Sequence, residues 1–365
     1  MQNKLLNVMY HGRQVGRLAE TPDKLLAFEY DAEWLRDGFA ISPFKLPLEK
    51  RVFVAKRDPF DGNFGVFNDS LPDGWGRLLI DRMLLKKRIN PASVSILDRL
   101  AIVGTSGMGA LEYKPEERLV HDISIDDLDT LAREAEAILN EDYDGRKLEE
   151  LVMLGGSSGG AHPKVLLNID GEDWIIKFRA SADPRDIGKQ EFDYMTAAKV
   201  AGLVTSETRL FEGKYFGAKR FDRKTDGGKV FMISTSGLLD ASHRLPTLDY
   251  NSLMAATLQL TRDFREVEKM FRLMCFNVFT HNRDDHAKNF SFLFDDGRWQ
   301  VSPAYDLVYA DGMGGEHATA IDGEGKNPTQ ENIMAVAQKA GLGVRKAKEI
   351  METVKATAKQ AGLTE

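Results

Sequence analysis

Residues 281–291 read His281-Asn282-Arg283-Asp284-Asp285-His286-Ala287-Lys288-Asn289-Phe290-Ser291, and Tyr305-Asp306-Leu307 follows a short apolar stretch later. Asn289 stands five positions after Asp284, and Asp306 stands seventeen positions after Asn289. Residues 290–294 and 298–302 have the apolar and aromatic content of two short strands, and Asp295-Asp296-Gly297 between them supports a tight turn. The predicted hairpin folds Asp306 back towards Asn289. Two hard oxygen ligands beside a separate carboxylate, Asp284, make a reasonable site for magnesium and a nucleotide. A polar turn with a capping Asn would explain D-x-H-x-x-N alone. It does not explain the hairpin and the later Asp together.

Composition narrows the classes. The chain has 365 residues, 42% hydrophobic content, 29% charged residues and a formal net charge of -7. That length and apolar content suit two or three lobes with cores of their own. An acidic chain with no long Lys/Arg run is a poor unaided binder of nucleic acid. One cysteine, Cys275, excludes an intramolecular disulfide framework and a cysteine-based zinc finger. No apolar run approaches the roughly 20 residues that span a bilayer. The N-terminus lacks the long apolar core of a secretory signal, so a reducing cytoplasm is the expected compartment.

The texture changes twice along the chain. Residues 1–115 read as a β-rich module, with strands at 5–10, 14–18 and 25–30, a helix over 78–85, and a Gly-rich turn at 104–109. An acidic segment, 121–150, carries Asp126, Asp127, Asp129 and Glu134 among Leu128, Leu131, Ala135 and Leu139 at helical spacing. It reads as an exposed helix joining two modules, its charge run a solvated face. From 151 the chain opens a dense glycine loop, 155–160, followed by a strand–turn–strand over 165–178 and a helix over 186–204. Residues 253–279 carry two helices rich in Leu, Met and Phe. Thr329 caps a helix ending at Gly341, and a last Lys/Ala-rich helix runs from Val344 towards Gly362.

A phosphotransfer site needs a cradle for phosphates and a cation to neutralise them. Backbone N–H groups of a glycine loop supply the first. A strand lysine oriented by a helix carboxylate supplies the second. The chain offers loop 155–160, then Lys177, then Glu191, then Asp284, Asn289 and Asp306, in the order that protein kinases use. Each signal alone is weak: glycine clusters are mostly turns, and strand lysines are mostly just exposed. His286 fits a structural hydrogen-bonding residue of the loop better than a phosphate contact. Arg220 and Arg223 flank Phe221; they read equally as a receptor for phosphoserine and as salt-bridge partners of Asp222.

At these motifs the chain resembles the HipA-like Ser/Thr kinases, the toxins of bacterial type II toxin–antitoxin pairs, over nearly its whole length. The carriers are residues 66–77 (V-F-N-D-S-L-P-D-G-W-G-R), 107–111 (G-M-G-A-L), Ser157 to Lys164 (S-S-G-G-A-H-P-K), Arg220-Phe221-Asp222-Arg223, residues 284–290 and residues 303–307. The resemblance implies an α+β, two-lobed protein-kinase-like fold with a β-rich N-terminal subdomain and a mostly helical C-terminal lobe. It divides the chain at about 1–115, 116–235 and 236–365. It implies Asp284 as the catalytic residue, and Asn289 and Asp306 as Mg²⁺ ligands. ATP contacts are expected from Gly159, Gly160, Ala161, Lys164, Lys177, His286 and Lys288, with Glu191 as the helix partner of the lysine. Ser157 aligns with the family's autophosphorylated serine, with Ser158 beside it. The implied partners are a protein substrate, such as an aminoacyl-tRNA synthetase, and a HipB-like DNA-binding antitoxin through which alone DNA is met; no membrane is expected. Departures are His162-Pro163 where Gln-Glu is usual, Asp285 at a common Gly, the second serine, and a short C-terminal end. A lipid or small-molecule kinase with the same loop, or a catalytically idle antitoxin-binding protein, are the other readings of the same residues.

Overall fold

The computed structural model describes residues 4–120, 127–140 and 147–364. The chain divides into two compact units, Met1–Gly188 with Arg209–Phe231, and Lys189–Thr208 with Met232–Glu365.

The first unit holds two antiparallel sheets. One has the strand order Val52–Val54, Leu26–Tyr30, Arg13–Glu20, Leu5–Tyr10, Leu111–Lys114. Its first hairpin pairs Tyr10 with Arg13 across His11 and Gly12, both at positive φ, which matches the twist of the flanking strands. The second sheet has the order Lys164–Ile169, Glu172–Lys177, Tyr215–Lys219, Thr208–Phe211. Its hairpin turns the same way at Asp170 and Gly171. Helix Gly74–Lys86 begins four residues before the predicted 78, with Gly74 and Gly76 inside its first turn.

Helix Leu128–Leu139 overturns the expectation of an exposed connector. Leu131, Ala135 and Ile138 are fully buried in a core shared with Trp75, Leu79, Leu151 and Trp174. The acidic side chains occupy only the remaining face, as an amphipathic stripe allows. Asp127 caps this helix by accepting the Thr130 N–H at 2.9 Å. His121 and Asp126 lie outside the described residues.

The second unit is mostly helical, as expected, with Tyr250–Thr261, Phe264–Phe279, Gln330–Lys339 and Val344–Gln360 around a small sheet of Phe231–Ser234, Ser291–Asp295 and Arg298–Val301. Helix Ile187–Val200 stops short of the predicted 204. Gly202 sits at φ +83 and the Leu203 N–H reaches back to the Ala198 carbonyl, the left-handed closure that ends many helices. Cys275 is fully buried on helix Phe264–Phe279, and burial pushes its thiol up, so it packs as an inert apolar group.

Candidate active site

Helix Phe264–Phe279 delivers the 281–291 segment. Asp263 caps its start by accepting the Arg265 N–H, and the Thr280 hydroxyl closes its end on the Phe276 carbonyl at 2.8 Å. His281 then takes φ +53 and turns the chain out of the helix. The next residues alternate: Asn282 is buried, Asp284 is exposed, and Asp285 is fully buried. Residues Ala287–Asn289 form one 3-10 turn, capped by His286, whose Nδ1 accepts the Lys288 N–H at 3.3 Å. His286 therefore serves as a loop brace, the role the sequence favoured. The Asn289 amide donates to the Asp284 carbonyl at 2.7 Å. That bond uses the donor side of the amide, so the oxygen is the atom of this side chain suited to a hard cation.

The hairpin is present. Strands Ser291–Asp295 and Arg298–Val301 pair in antiparallel register, with Asp295 opposite Arg298 and positive φ at both Asp296 and Gly297. The returning chain is tethered to the 284–291 segment by Tyr305. Its hydroxyl donates to the Lys288 carbonyl at 2.5 Å and meets the Ser291 hydroxyl at 2.6 Å. Asp306, next in sequence, is held at φ +58, a left-handed conformation that costs most L-residues about 1–2 kcal/mol and that Asp and Asn tolerate best. Such backbone geometry persists where the surroundings fix it, and it gathers at functional sites.

In the first unit the glycine loop is clamped. The Gly160 N–H donates to the Asp73 carboxylate, and the Trp75 N–H donates to the Gly160 carbonyl at 3.0 Å. The Trp75 indole donates to the Lys164 carbonyl at 3.0 Å. Gly76 lies so close that a Cβ there would overlap the Ser158 carbonyl. The Asp73-Gly74-Trp75-Gly76 motif is thus the seat of the loop, a role that sequence reading missed because the two stretches lie 80 or more positions apart. Ser157 is partly exposed and donates to the Ser106 carbonyl at 2.9 Å. Ser158 is buried and donates to the Gly155 carbonyl at 2.6 Å.

Lys164 and Lys177 are direct cross-strand partners, so both ammonium groups leave the same face of the sheet. The Lys164 Nζ donates to the Gly159 carbonyl at 2.6 Å, and the Lys177 Nζ lies 5.7 Å from the Phe216 ring centre. His162, also in the loop, faces Asp183 at 3.3 Å. Glu191 is buried on helix Ile187–Val200. The arginine pair takes the salt-bridge reading. Arg220 grips Asp222 through Nε at 2.9 Å and Nη2 at 2.7 Å, and Arg223 reaches it at 2.9 Å. Arg223 also donates to the carbonyls of Gly107 and Gly109. A phosphoserine pocket at Arg220 and Arg223 is therefore filled by this chain's own carboxylate and carbonyls. Burial works to raise the Asp222 pKa, but the two guanidiniums and the Gly109 N–H outweigh it and hold the carboxyl below its ordinary value.

The donor set suits magnesium bound with a nucleotide. Among the described residues no group of three or more His, Cys, Asp or Glu could hold a metal ion by itself. Magnesium on a nucleotide needs no such cage, because phosphates and water fill most of its octahedron beside one or two protein oxygens. Asn289 and Asp306 offer those oxygens.

Two family models match the chain, the HipA N-terminal domain over residues 6–114 and the HipA-like C-terminal domain over residues 156–361. A Sinorhizobium fredii protein named "Putative kinase Y4mE" is 28% identical over 341 residues, covering 84% of this chain and 78% of its own. The serine/threonine-protein kinase toxin HipA of Shewanella oneidensis is 22% identical over 324 residues, covering 78% and 70%. A solved complex of HipA, HipB and operator DNA from Shewanella oneidensis contains a chain that superposes with a TM-score of 0.73 at 20% identity, covering 98% of this chain and 89% of that one. That likeness carries the fold: an α+β protein with a β-rich N-terminal part ahead of a mostly helical one. With the C-terminal model alone matching more than half of its residues, the chain belongs to the HipA-like family.

Proposed function

We propose that this protein is an ATP- and Mg²⁺-dependent serine/threonine protein kinase that acts as a HipA-like toxin. The observation that carries the reading is the tether from Tyr305 to Lys288 and Ser291, which joins the Asp306 segment to the segment bearing Asp284 and Asn289. In this reading Asp284, exposed and one residue from a buried anchor, accepts or orients the proton of the acceptor hydroxyl. Asn289 and Asp306 hold magnesium, which when bound neutralises phosphate charge. Lys177, with Glu191 as the helix partner that the family resemblance implies, and Lys164 neutralise phosphates, and the N–H groups of Gly159 and Ala161 cradle them, while Gly160 fastens the loop to Asp73. Lys288 completes the nucleotide contacts from this segment, which His286 braces.

The proposed partners follow the relatives. A HipB-like antitoxin would bind the protein and carry it to DNA, which suits a chain of net charge -7 with no basic run of its own. A translation component such as an aminoacyl-tRNA synthetase is the proposed acceptor, and a reducing cytoplasm the proposed compartment. No helix among the described residues is long and apolar enough to cross a membrane. Incubation with γ-labelled ATP, Mg²⁺ and a lysate, followed by identification of the labelled residue, tests this. Label on a serine or threonine of a discrete protein supports it; label on lipid or a small molecule, or no label, contradicts it.

A further inference from the structure

Asp284 and Asp285 are adjacent and face opposite environments. Asp284 is exposed; the Asp285 carboxylate is fully buried. Taking a carboxylate out of water costs several kcal/mol unless donors replace the lost hydration. Here the donors are specific. The Tyr250 hydroxyl reaches Asp285 Oδ2 at 2.8 Å, and His317 Nδ1 reaches the same oxygen at 3.0 Å. The Thr319 N–H donates to Oδ1 at 3.2 Å, and the Thr319 hydroxyl donates to the Asp285 carbonyl at 2.5 Å. The chain of bonds runs on: the Asn277 amide donates to the Tyr250 hydroxyl at 3.0 Å, and the Asn282 amide donates to Asn277 Oδ1 at 3.0 Å. Each of these groups is buried, and burial, with the Asp285 charge, pushes the Tyr250 hydroxyl well above its ordinary value, so it stays a donor.

The members come from separate elements. Tyr250 opens helix Tyr250–Thr261, Asn277 lies on helix Phe264–Phe279, and His317 and Thr319 lie beyond the Asp306 segment. Thr319 also begins the short parallel pair with Leu248-Asp249, directly ahead of Tyr250. Directly, or through the Tyr250 hydroxyl, one buried carboxylate thus fastens the peptide that carries Asp284 to three stretches of the second unit, at 248–250, 277 and 317–319. It also anchors the far end of the segment that begins at Tyr305. Bonds of this kind fix a loop in one geometry, and a misplacement of about 1 Å at a reacting group can cost roughly 10²-fold in rate.

We propose that Asp285, held by Tyr250, His317 and Thr319, is a positioning residue for phosphoryl transfer, setting the direction of the Asp284 side chain without touching substrate. This rests on the reading of Asp284 given above. The test measures phosphate transfer from γ-labelled Mg-ATP, into the protein itself and into the acceptor labelled in lysate, with KM for ATP and Tm alongside. The variants are Asp285→Asn, His317→Leu and His317→Asn, with Asp284→Asn as the site control and Val354→Ala, in the core of helix Val344–Gln360, as the stability control. In His317→Asn the side-chain amide restores a donor close to the place of Nδ1.

The expected result is a kcat loss of roughly 10- to 100-fold in Asp285→Asn and His317→Leu with KM for ATP within about twofold. His317→Asn should recover most of the lost kcat, and Val354→Ala, at a similar fall in Tm, should keep near wild-type kcat. Equal kcat loss in Val354→Ala at matched Tm, or no recovery in His317→Asn, overturns the positioning role while leaving Asp284 in place. Full activity in Asp284→Asn overturns the kinase site itself, and the proposal with it.

Discussion

In the proposed function Asp284 is the residue on which the chemistry turns, and its exposure makes it a clean target. Asp284→Asn keeps shape and surface but removes the proton acceptor, so transfer should fall roughly 10²–10⁴-fold with Tm nearly unchanged. A kinetic assay paired with thermal unfolding checks both halves of that statement. Asp306 needs a different substitution. Because it sits at φ +58, an Ala variant would mix backbone strain with ligand loss, whereas Asn tolerates the left-handed region. Asp306→Asn should therefore fold normally and bind ATP more weakly in Mg²⁺, with little change when Mg²⁺ is withheld. Calorimetry with and without the metal decides it, and equal affinity in Mg²⁺ removes Asp306 from the ligand set. The two loop serines also separate by environment. The buried Ser158 hydroxyl is committed to the Gly155 carbonyl, while Ser157 is partly exposed. A phosphate carrying about -1.5 to -2 charges fits only the second without unfolding its surroundings. Phosphopeptide mapping of active protein should find modification on Ser157; modification on Ser158 alone would contradict this.

Hairpins were legible because their signals are local. His11-Gly12, Asp170-Gly171 and Asp296-Gly297 each put two left-handed residues between short apolar strands, and a residue-Gly pair in that setting has few other uses. The spacing of Asp284, Asn289 and Asp306 was likewise readable along the chain. What escaped was long-range. The clamp of the glycine loop joins residues 73–76 to 156–164, and no periodicity links those stretches. The buried side of helix Leu128–Leu139 was masked by its acidic side, although Leu131, Ala135 and Ile138 mark a stripe in retrospect. The Asp285 cluster was read only as a departure from a glycine, since its donors arrive from positions 250, 317 and 319. Gly76→Ala tests the clamp. Its Cβ would overlap the Ser158 carbonyl and lie 2.9 Å from Pro72 Cβ, so the loop must leave its seat or the helix must shift. Either response should lower Tm and raise proteolytic cleavage within 156–164; an unchanged cleavage pattern would mean that the loop does not depend on this contact.

Each compact unit has its own core, and in the first unit one buried ion cluster is a pH-sensitive part of the structure. Asp222, between Arg220 and Arg223, is held below the ordinary carboxylate value of 3.8. A carboxyl with a depressed folded pKa contributes stability that is complete above its unfolded value and lost as pH falls through the folded value. The protein should therefore lose stability progressively below about pH 4, and Asp222→Asn should flatten that part of the profile. The same variant should be destabilised at neutral pH by about 3–5 kcal/mol, because two guanidiniums remain buried without their carboxylate. Denaturant unfolding across pH 3–7 checks both the slope and the offset. The family and the fold were readable from motifs; the acceptor was not, because nothing in 365 residues encodes a partner's identity at the level of spacing. The central claim is that the tethered Asp284, Asn289 and Asp306 transfer phosphate. Its most direct test is transfer of label from γ-labelled Mg-ATP to serine or threonine, measured side by side for wild-type and Asp284→Asn protein of equal Tm. The account predicts labelling by the wild type and a loss of at least about a hundredfold in the variant; equal labelling by the two proteins, or labelling by neither, would contradict it.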